Sequence, residues 1–249
     1  MLIPNTSTLI KTIHLLRRAL LSSEPLRTNV RVEVSGPEIP ILDGSAVDYI
    51  EGILNCGVEL QNYSQPILKI LKPIKVHHDG TICELLPRER LRLTTSVDFP
   101  HPIIGLQTYA LELTPEAFYN EISRARTFGF QSDLEKLQAR NLALGASLEN
   151  VLAFSDSAVL NPEGARYAEE CVRHKLLDAI GDLALCGCWI EGEMVSFRGG
   201  HSIHLTLLKT LKEFKSHWEY IPSEPLHSDI HMRNLEKNHI PIAPPAQRF

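Results

Sequence analysis

The stretch Arg173-His174-Lys175-Leu176-Leu177-Asp178-Ala179-Ile180-Gly181-Asp182-Leu183 constrains this chain more than any other. Leu176, Leu177, Ile180, Leu183 and Leu185 recur at helical spacing, so the segment reads as an amphipathic helix with one buried face. His174, Asp178 and Asp182 follow one another at intervals of four, which stacks an imidazole and two carboxylates along one stripe. A His and an Asp one turn apart can both ligate a divalent metal, and zinc accepts both donor types. Lys175, beside that stripe, could hold substrate or stabilise a developing anion. The competing reading is a solvated charged stripe with no chemistry. Gly199-Gly200-His201 weighs against it, because a glycine turn there delivers another His at the start of a new helix.

The chain has 249 residues, 43% of them hydrophobic and 22% charged, enough for a sizeable core and one or two domains. The net charge of −5 argues against nucleic acid as a partner. Cys56, Cys83, Cys171, Cys186 and Cys188 are scattered, and Cys186-Gly187-Cys188 has no second pair at zinc-ribbon spacing. Free or buried thiols in a reducing compartment are the expectation. No apolar run approaches the roughly 18 residues of a membrane span, and residues 1–20 lack the order of a secretory signal.

In chain order, Thr12–Leu21 reads as a helix and Arg31–Val34 as a half-buried strand. A D-G turn follows, then a helix start at Ser45 with Asp48 in capping-box position and Val47, Ile50, Ile53 and Leu54 on its apolar face. Gln61–Pro66 is a polar, Pro-terminated link between two units. Strands are expected over Ile67–Ile74, Ile82–Leu86, Leu91–Val97 and Thr108–Leu113. Thr114-Pro115-Glu116 caps a helix carrying Phe118 and Ile122. A short strand at 126–130, a helix over Ser132–Arg140 and a return over Leu142–Phe154 precede the striped helix. Strand Met194–Arg198 and a helix over Ile203–Trp218 complete the order. Strands grouped together and then helices indicate α+β. Residues 222–249 contain His227 and His231 at metal-compatible spacing but no periodic core, and read as a tail.

Several segments together carry a resemblance: E-I-P-I-L-D-G-S-A (38–46), S-R-A-R-T-F-G-F (123–130), L-G-A-S-L-E-N (144–150), V-L-N-P-E-G-A-R-Y (159–167), V-R-H-K-L-L-D-A-I-G-D-L (172–183) and G-G-H (199–201). In this order they resemble the UDP-3-O-acyl-N-acetylglucosamine deacetylase family of lipid A synthesis, over about His14 to Trp218. The D-F-P-H-P segment (98–102) looks closest to versions from cyanobacteria or the plastid-bearing lineage.

The resemblance implies a zinc-dependent hydrolase that removes the N-acetyl group of UDP-3-O-acyl-N-acetylglucosamine and releases acetate, early in lipid A biosynthesis. Iron suits the same ligand set. The implied fold is α+β, with two similar domains, each a small sheet packed on two helices, the helices facing each other. It places a partial N-terminal domain at 1–61, a C-terminal domain at 66–218 with a βαβ insert at about 127–152, and a tail at 219–249. His14, His174 and Asp178 match the metal ligands. Lys175 matches a lysine that contacts substrate, and Thr127 a residue that helps hold the oxyanion. His201 matches the histidine that protonates the leaving amine, with Asp182 as its partner. Phe128 and Leu142 fall at the passage for the substrate's acyl chain. The implied protein is a monomer without a membrane span or nucleic-acid partner. It belongs in the bacterial cytoplasm, or in an organelle if the gene is from a plastid-bearing eukaryote.

Two departures stand out. Where the family has Glu directly before its first zinc-binding His, as the base for water, this chain has Ile13. The family also begins earlier, with strands of domain one and a G-V-G-L-H-type motif, which implies an N-terminally truncated chain whose first domain is incomplete. A homologue that binds metal, UDP-sugar or acyl chain without turnover is therefore the second expectation.

Overall fold

The computed structural model describes residues 33, 39–56, 63–139, 143 and 145–225. His14, Ile13, Leu142, the expected first helix, the expected first strand apart from Glu33, and His227 and His231 lie outside the described residues. Helix α1 (Val47–Cys56) starts where the D-G turn and Ser45 place it, and it buries Ile50. Strands β1 (Ile67–Ile70), β2 (Ile74–His78) and β3 (Thr81–Leu86) follow. The single strand expected over Ile67–Ile74 is thus two. Pro73 lacks the N–H that a continuous ladder requires, and the break lets β1 and β2 join different sheets.

Strands β4 (Arg92–Phe99) and β5 (Gly105–Glu112) form an antiparallel pair. Thr114 then caps a short helix, α2 (Pro115–Ala117), by accepting a hydrogen bond from Ala117 N at 3.1 Å. It widens into a π turn over Phe118–Ile122 that buries both named apolar residues. Strands β6 (Phe128–Phe130) and β7 (Leu152–Phe154) pair in parallel and are joined through α3 (Gln131–Gln138), a compact βαβ unit.

Helix α4 (Glu170–Ala184) is the striped helix; strands β8 (Trp189–Glu191) and β9 (Glu193–Phe197) follow it, then helix α5 (His201–Glu213). The last helix ends well before Trp218. Phe214 leaves the helical region at φ −90°, ψ 61°, and Trp218–Ile221 forms strand β10, antiparallel to β1. The apolar spacing of Phe214 and Trp218 imitates a helix, but sheet pairing takes the second of them.

The main sheet has the order β2-β3-β9-β4-β5, with β9 and β4 parallel. Its strands alternate, so Ile74, Cys83, Leu85, Leu93 and Met194 face inward. They meet Leu176, Leu177, Ile180 and Leu183 of α4 and Leu207, Leu208 and Leu211 of α5 in one apolar core. A second sheet runs β10-β1-β8. Small sheets packed on helices make the fold α+β. Among the described residues, no helix is long and apolar enough to cross a membrane.

Candidate active site on helices α4 and α5

The polar stripe of α4 is buried. His174 and Asp178 are each 6% exposed and Asp182 4%, which removes the solvated-stripe reading. Buried ionisable groups persist only where partners satisfy them, and the partners are specific. His174 Nδ1 lies 2.9 Å from the carbonyl oxygen of Ala125. A carbonyl can only accept, so Nδ1 carries a proton, and in the neutral form of the ring Nε2 is left with its lone pair. Nε2 is 3.7 Å from Asp178 Oδ1, and Asp178 Oδ2 accepts from Lys175 Nζ at 3.1 Å.

A nitrogen lone pair and a carboxylate oxygen therefore converge, with a backbone carbonyl behind the imidazole and a lysine behind the carboxylate. This donor set fits a divalent cation such as zinc, and the Ala125 carbonyl is the kind of outer partner that fixes a ligating His. It supplies two donors. Among the described residues no group of three His, Cys, Asp or Glu gathers for a metal, and His14 is outside them.

The carbonyl of Ala125 is held by the segment around it. Arg126, 1% exposed, donates from its backbone N and from Nε to Glu170 Oε1, both at 2.9 Å. Its Nη1 reaches Glu163 Oε1 at 2.6 Å and its Nη2 the oxygen of Gly164 at 2.8 Å. Burial works against the Arg126 charge, but the Glu170 and Glu163 carboxylates outweigh it and raise its pKa. Arg166 extends the network, donating from Nη1 to Asp43 Oδ2 at 2.6 Å. Beside Asp43, Gly44 has φ +81°, and a Cβ there would fall 2.0 Å from the oxygen of Asn150. Only glycine fits this turn. Its carbonyl accepts from Thr127 N at 2.8 Å, and the carbonyl of Thr127 accepts from Leu152 N at 2.8 Å. The described parts of four motifs, 39–46, 123–130, 145–150 and 159–167, thus form one scaffold behind His174.

Phe128 opens β6, the strand leaving that scaffold, directly after Thr127. Lys175 Nζ is 5.8 Å from the centre of the Phe128 ring, so the segment sits alongside the Lys175–Asp178 pair. Phe128 also packs edge-on to Phe99 at 5.6 Å. Both border a second apolar cluster containing Val97, Ile104, Leu152 and Phe154.

One turn further along α4, Asp182 meets α5. His201 Nδ1 donates to both carboxylate oxygens at 2.9 Å each, and His204 Nδ1 donates to Oδ2 at 2.7 Å. Burial would raise the Asp182 pKa, but the hydrogen bonds from the two histidines outweigh it and hold it below 3.8. Ser196 of β9 donates from Oγ to His204 Nε2 at 3.1 Å. A Cβ at Gly199 would lie 1.9 Å from Ser196 Oγ, so the glycine before the helix allows this close approach. Ser196, His204 and Asp182 have the order of a nucleophilic triad, yet Ser196 and His204 are each 1% exposed. No substrate reaches that hydroxyl, and the pair serves to orient Asp182. His201, with 28% of its side chain exposed, is the member that can meet a substrate.

A model of the UDP-3-O-acyl N-acetylglycosamine deacetylase family matches residues 6–213. The chain belongs to this family. Among curated proteins it is 42% identical over 198 residues to the UDP-3-O-acyl-N-acetylglucosamine deacetylase of Histophilus somni, covering 79% of this chain and 65% of that one. It is 44% identical over the same shares to that of Hamiltonella defensa, and 40% identical over 185 residues to that of Nitratidesulfovibrio vulgaris. The chain thus spans just under two thirds of the length of the deacetylases first matched, at 65%. Within the deacetylase family's span, the described structure brings Asp182 to His201, and His174 and Lys175 to Asp178. His204, Ser196, Arg126 and Glu170 escaped the sequence reading. The spacing His201-x-x-His204 was the available signal for His204, and the buried arginine offered none.

Proposed function

We propose that this chain hydrolyses the N-acetyl group of UDP-3-O-acyl-N-acetylglucosamine and releases acetate, as a step of lipid A biosynthesis. The observation that carries the reading is the His174–Asp178 donor pair set one helical turn from the His201–Asp182 pair. His174 and Asp178, with His14, would hold zinc, or iron. When bound, the ion supplies Lewis acidity toward an amide carbonyl and acidifies water. Lys175 and Thr127 would hold the developing oxyanion. His201, with its Nδ1 proton on Asp182, presents Nε2 to the leaving nitrogen, and Asp182 stabilises the cationic ring that donates the proton. Phe128 and the cluster behind it, with Leu142, supply apolar surface for the acyl chain. The family's two-domain plan and a cytoplasmic or organellar site belong to the same reading.

Ile13 favours a second reading, a homologue that binds without turnover. The position that would hold a carboxylate base holds a side chain that cannot take a proton. Acetate release from the acylated UDP-sugar, measured with metal content, separates the two. Acetate release at the rate typical of the named deacetylases supports hydrolysis by the chain as it stands. Stoichiometric zinc without acetate supports the second reading. In that case, inserting Glu between Ile13 and His14 is expected to raise turnover by at least ~10²-fold, the lower end of what a positioned base contributes.

A further inference from the structure

Outside the site, the turn that ends α4 holds a second piece of chemistry. Cys186 and Cys188 flank Gly187, and their Sγ atoms are 3.5 Å apart. Gly187 has φ +76°, and a Cβ there would meet nothing within 4 Å, so the turn is open on that side. Both cysteines are partly exposed, while Cys83 and Cys171 are buried. Leu185, just before the pair, is 53% exposed, so the turn stands at the surface.

From this geometry we infer that Cys186 and Cys188 form a thiol–disulfide exchange site for low-molecular-weight disulfides of the glutathione class, with Cys186 as the attacking thiol and Cys188 as the resolving one. The side-chain hydrogen bond from Cys188 lowers the Cys186 pKa, and the Lys212 ammonium adds to the effect. By contrast, burial pushes the Cys83 and Cys171 thiols up to about 12. Thiolate is the nucleophile in exchange, so the pair reacts and the buried thiols do not.

The steps balance. Cys186 thiolate attacks one sulfur of the small disulfide, forming a mixed disulfide and expelling one small thiolate. Cys188, deprotonated, then attacks Cys186 Sγ, closing a bond across Gly187 and expelling the second. Two protein thiols lose two electrons and two protons in total, and the small disulfide becomes two thiols. Closure requires the sulfurs to move from 3.5 Å to bonding distance. The turn can supply this because its central residue is an unencumbered glycine. The bond would tie the end of the helix that carries His174, Asp178 and Asp182 to the start of β8, so the site's own helix is the element affected.

The test uses the full chain in buffers of oxidised and reduced glutathione, followed by acid quench, alkylation and peptide mass mapping. The expected product is a peptide lighter by two hydrogens that contains both Cys186 and Cys188. It should form at least ~10-fold faster than any adduct at exposed Cys56, because a resolving thiol lies 3.5 Å from the attacking one. Cys188→Ser should stop the reaction at a glutathione adduct on Cys186. Separate adducts on both cysteines of the unsubstituted chain, or oxidation no faster than at Cys56, would overturn the proposal. The map of the unsubstituted chain decides the matter even if the Ser variant folds poorly.

Discussion

Asp182 answers to two histidines at once, and this sharing decides how the residue behaves. Hydrogen bonds from His201 and His204, opposed by burial, keep its pKa below 3.8. Among the described residues, the titratable groups facing it are those two rings and the thiol of Cys83, which burial keeps protonated. A carboxyl whose folded pKa is depressed contributes stability above its unfolded value and loses it as the pH falls through the folded value. Asp182→Asn is therefore expected to cost about 2 kcal/mol at neutral pH, the scale of a hydrogen bond to a charged group. Urea titrations at several pH values should show the gap between variant and parent closing as the pH is lowered past 3.8. A gap unchanged into the acid range would contradict the assignment. The stripe was legible in sequence because intervals of four on an amphipathic helix put the three polar groups on one line. His204 was not, because its role depends on a hydroxyl of β9 that only the fold brings to it.

At the scale of elements, the segment between the π turn and β6 does the positioning. Arg126 and Glu170 are each 1% exposed, and together they fix the Ala125 carbonyl that orients His174. Removing Glu170 leaves the buried Arg126 with only the largely exposed Glu163 carboxylate to compensate it. Glu170→Ala is expected to destabilise the protein by about 3–5 kcal/mol, a range typical of such deletions, read from the midpoint of denaturant unfolding. A loss below about 1 kcal/mol, the level of an exposed ion pair, would show that Glu163 alone suffices for Arg126. Quoting the motif S-R-A-R-T-F-G-F could not separate a site residue from this scaffold, since both occur within it. Element boundaries failed where two periodicities competed. Trp218 fits the helical spacing of α5, yet it pairs with Ile70 as the first residue of β10. Pro73 ended a strand that apolar content alone would have continued.

Among the described residues, two apolar clusters gather, and helix α4 contributes to both. The larger is the core between the main sheet and helices α4 and α5. The smaller gathers β6, β7 and the end of β4 around Phe154, with Phe128 at its border near Lys175. If this second cluster receives the acyl chain, Phe128→Glu should weaken a long-acyl UDP-sugar by ~10-fold or more while leaving UDP alone nearly unchanged. Burial of apolar surface, at about 25 cal/mol per Å², is lost only for the lipid part. Equal weakening of both ligands, measured by titration calorimetry, would move the acyl site elsewhere. The α+β class was legible because strands cluster early and the long helices come late. The division into sheets was not, because β9 crosses back between β3 and β4 while β8 and β10 return to flank β1.

The central claim is that α4 carries metal donors, and metal content tests it most directly. The full chain, its His174→Ala variant and its Asp178→Ala variant should be dialysed against zinc and assayed by elemental analysis, with folding checked by circular dichroism. About one zinc per chain is expected in the parent, with loss of most of it in both folded variants, since each removes one proposed donor. Stoichiometric zinc retained by either folded variant would contradict the claim.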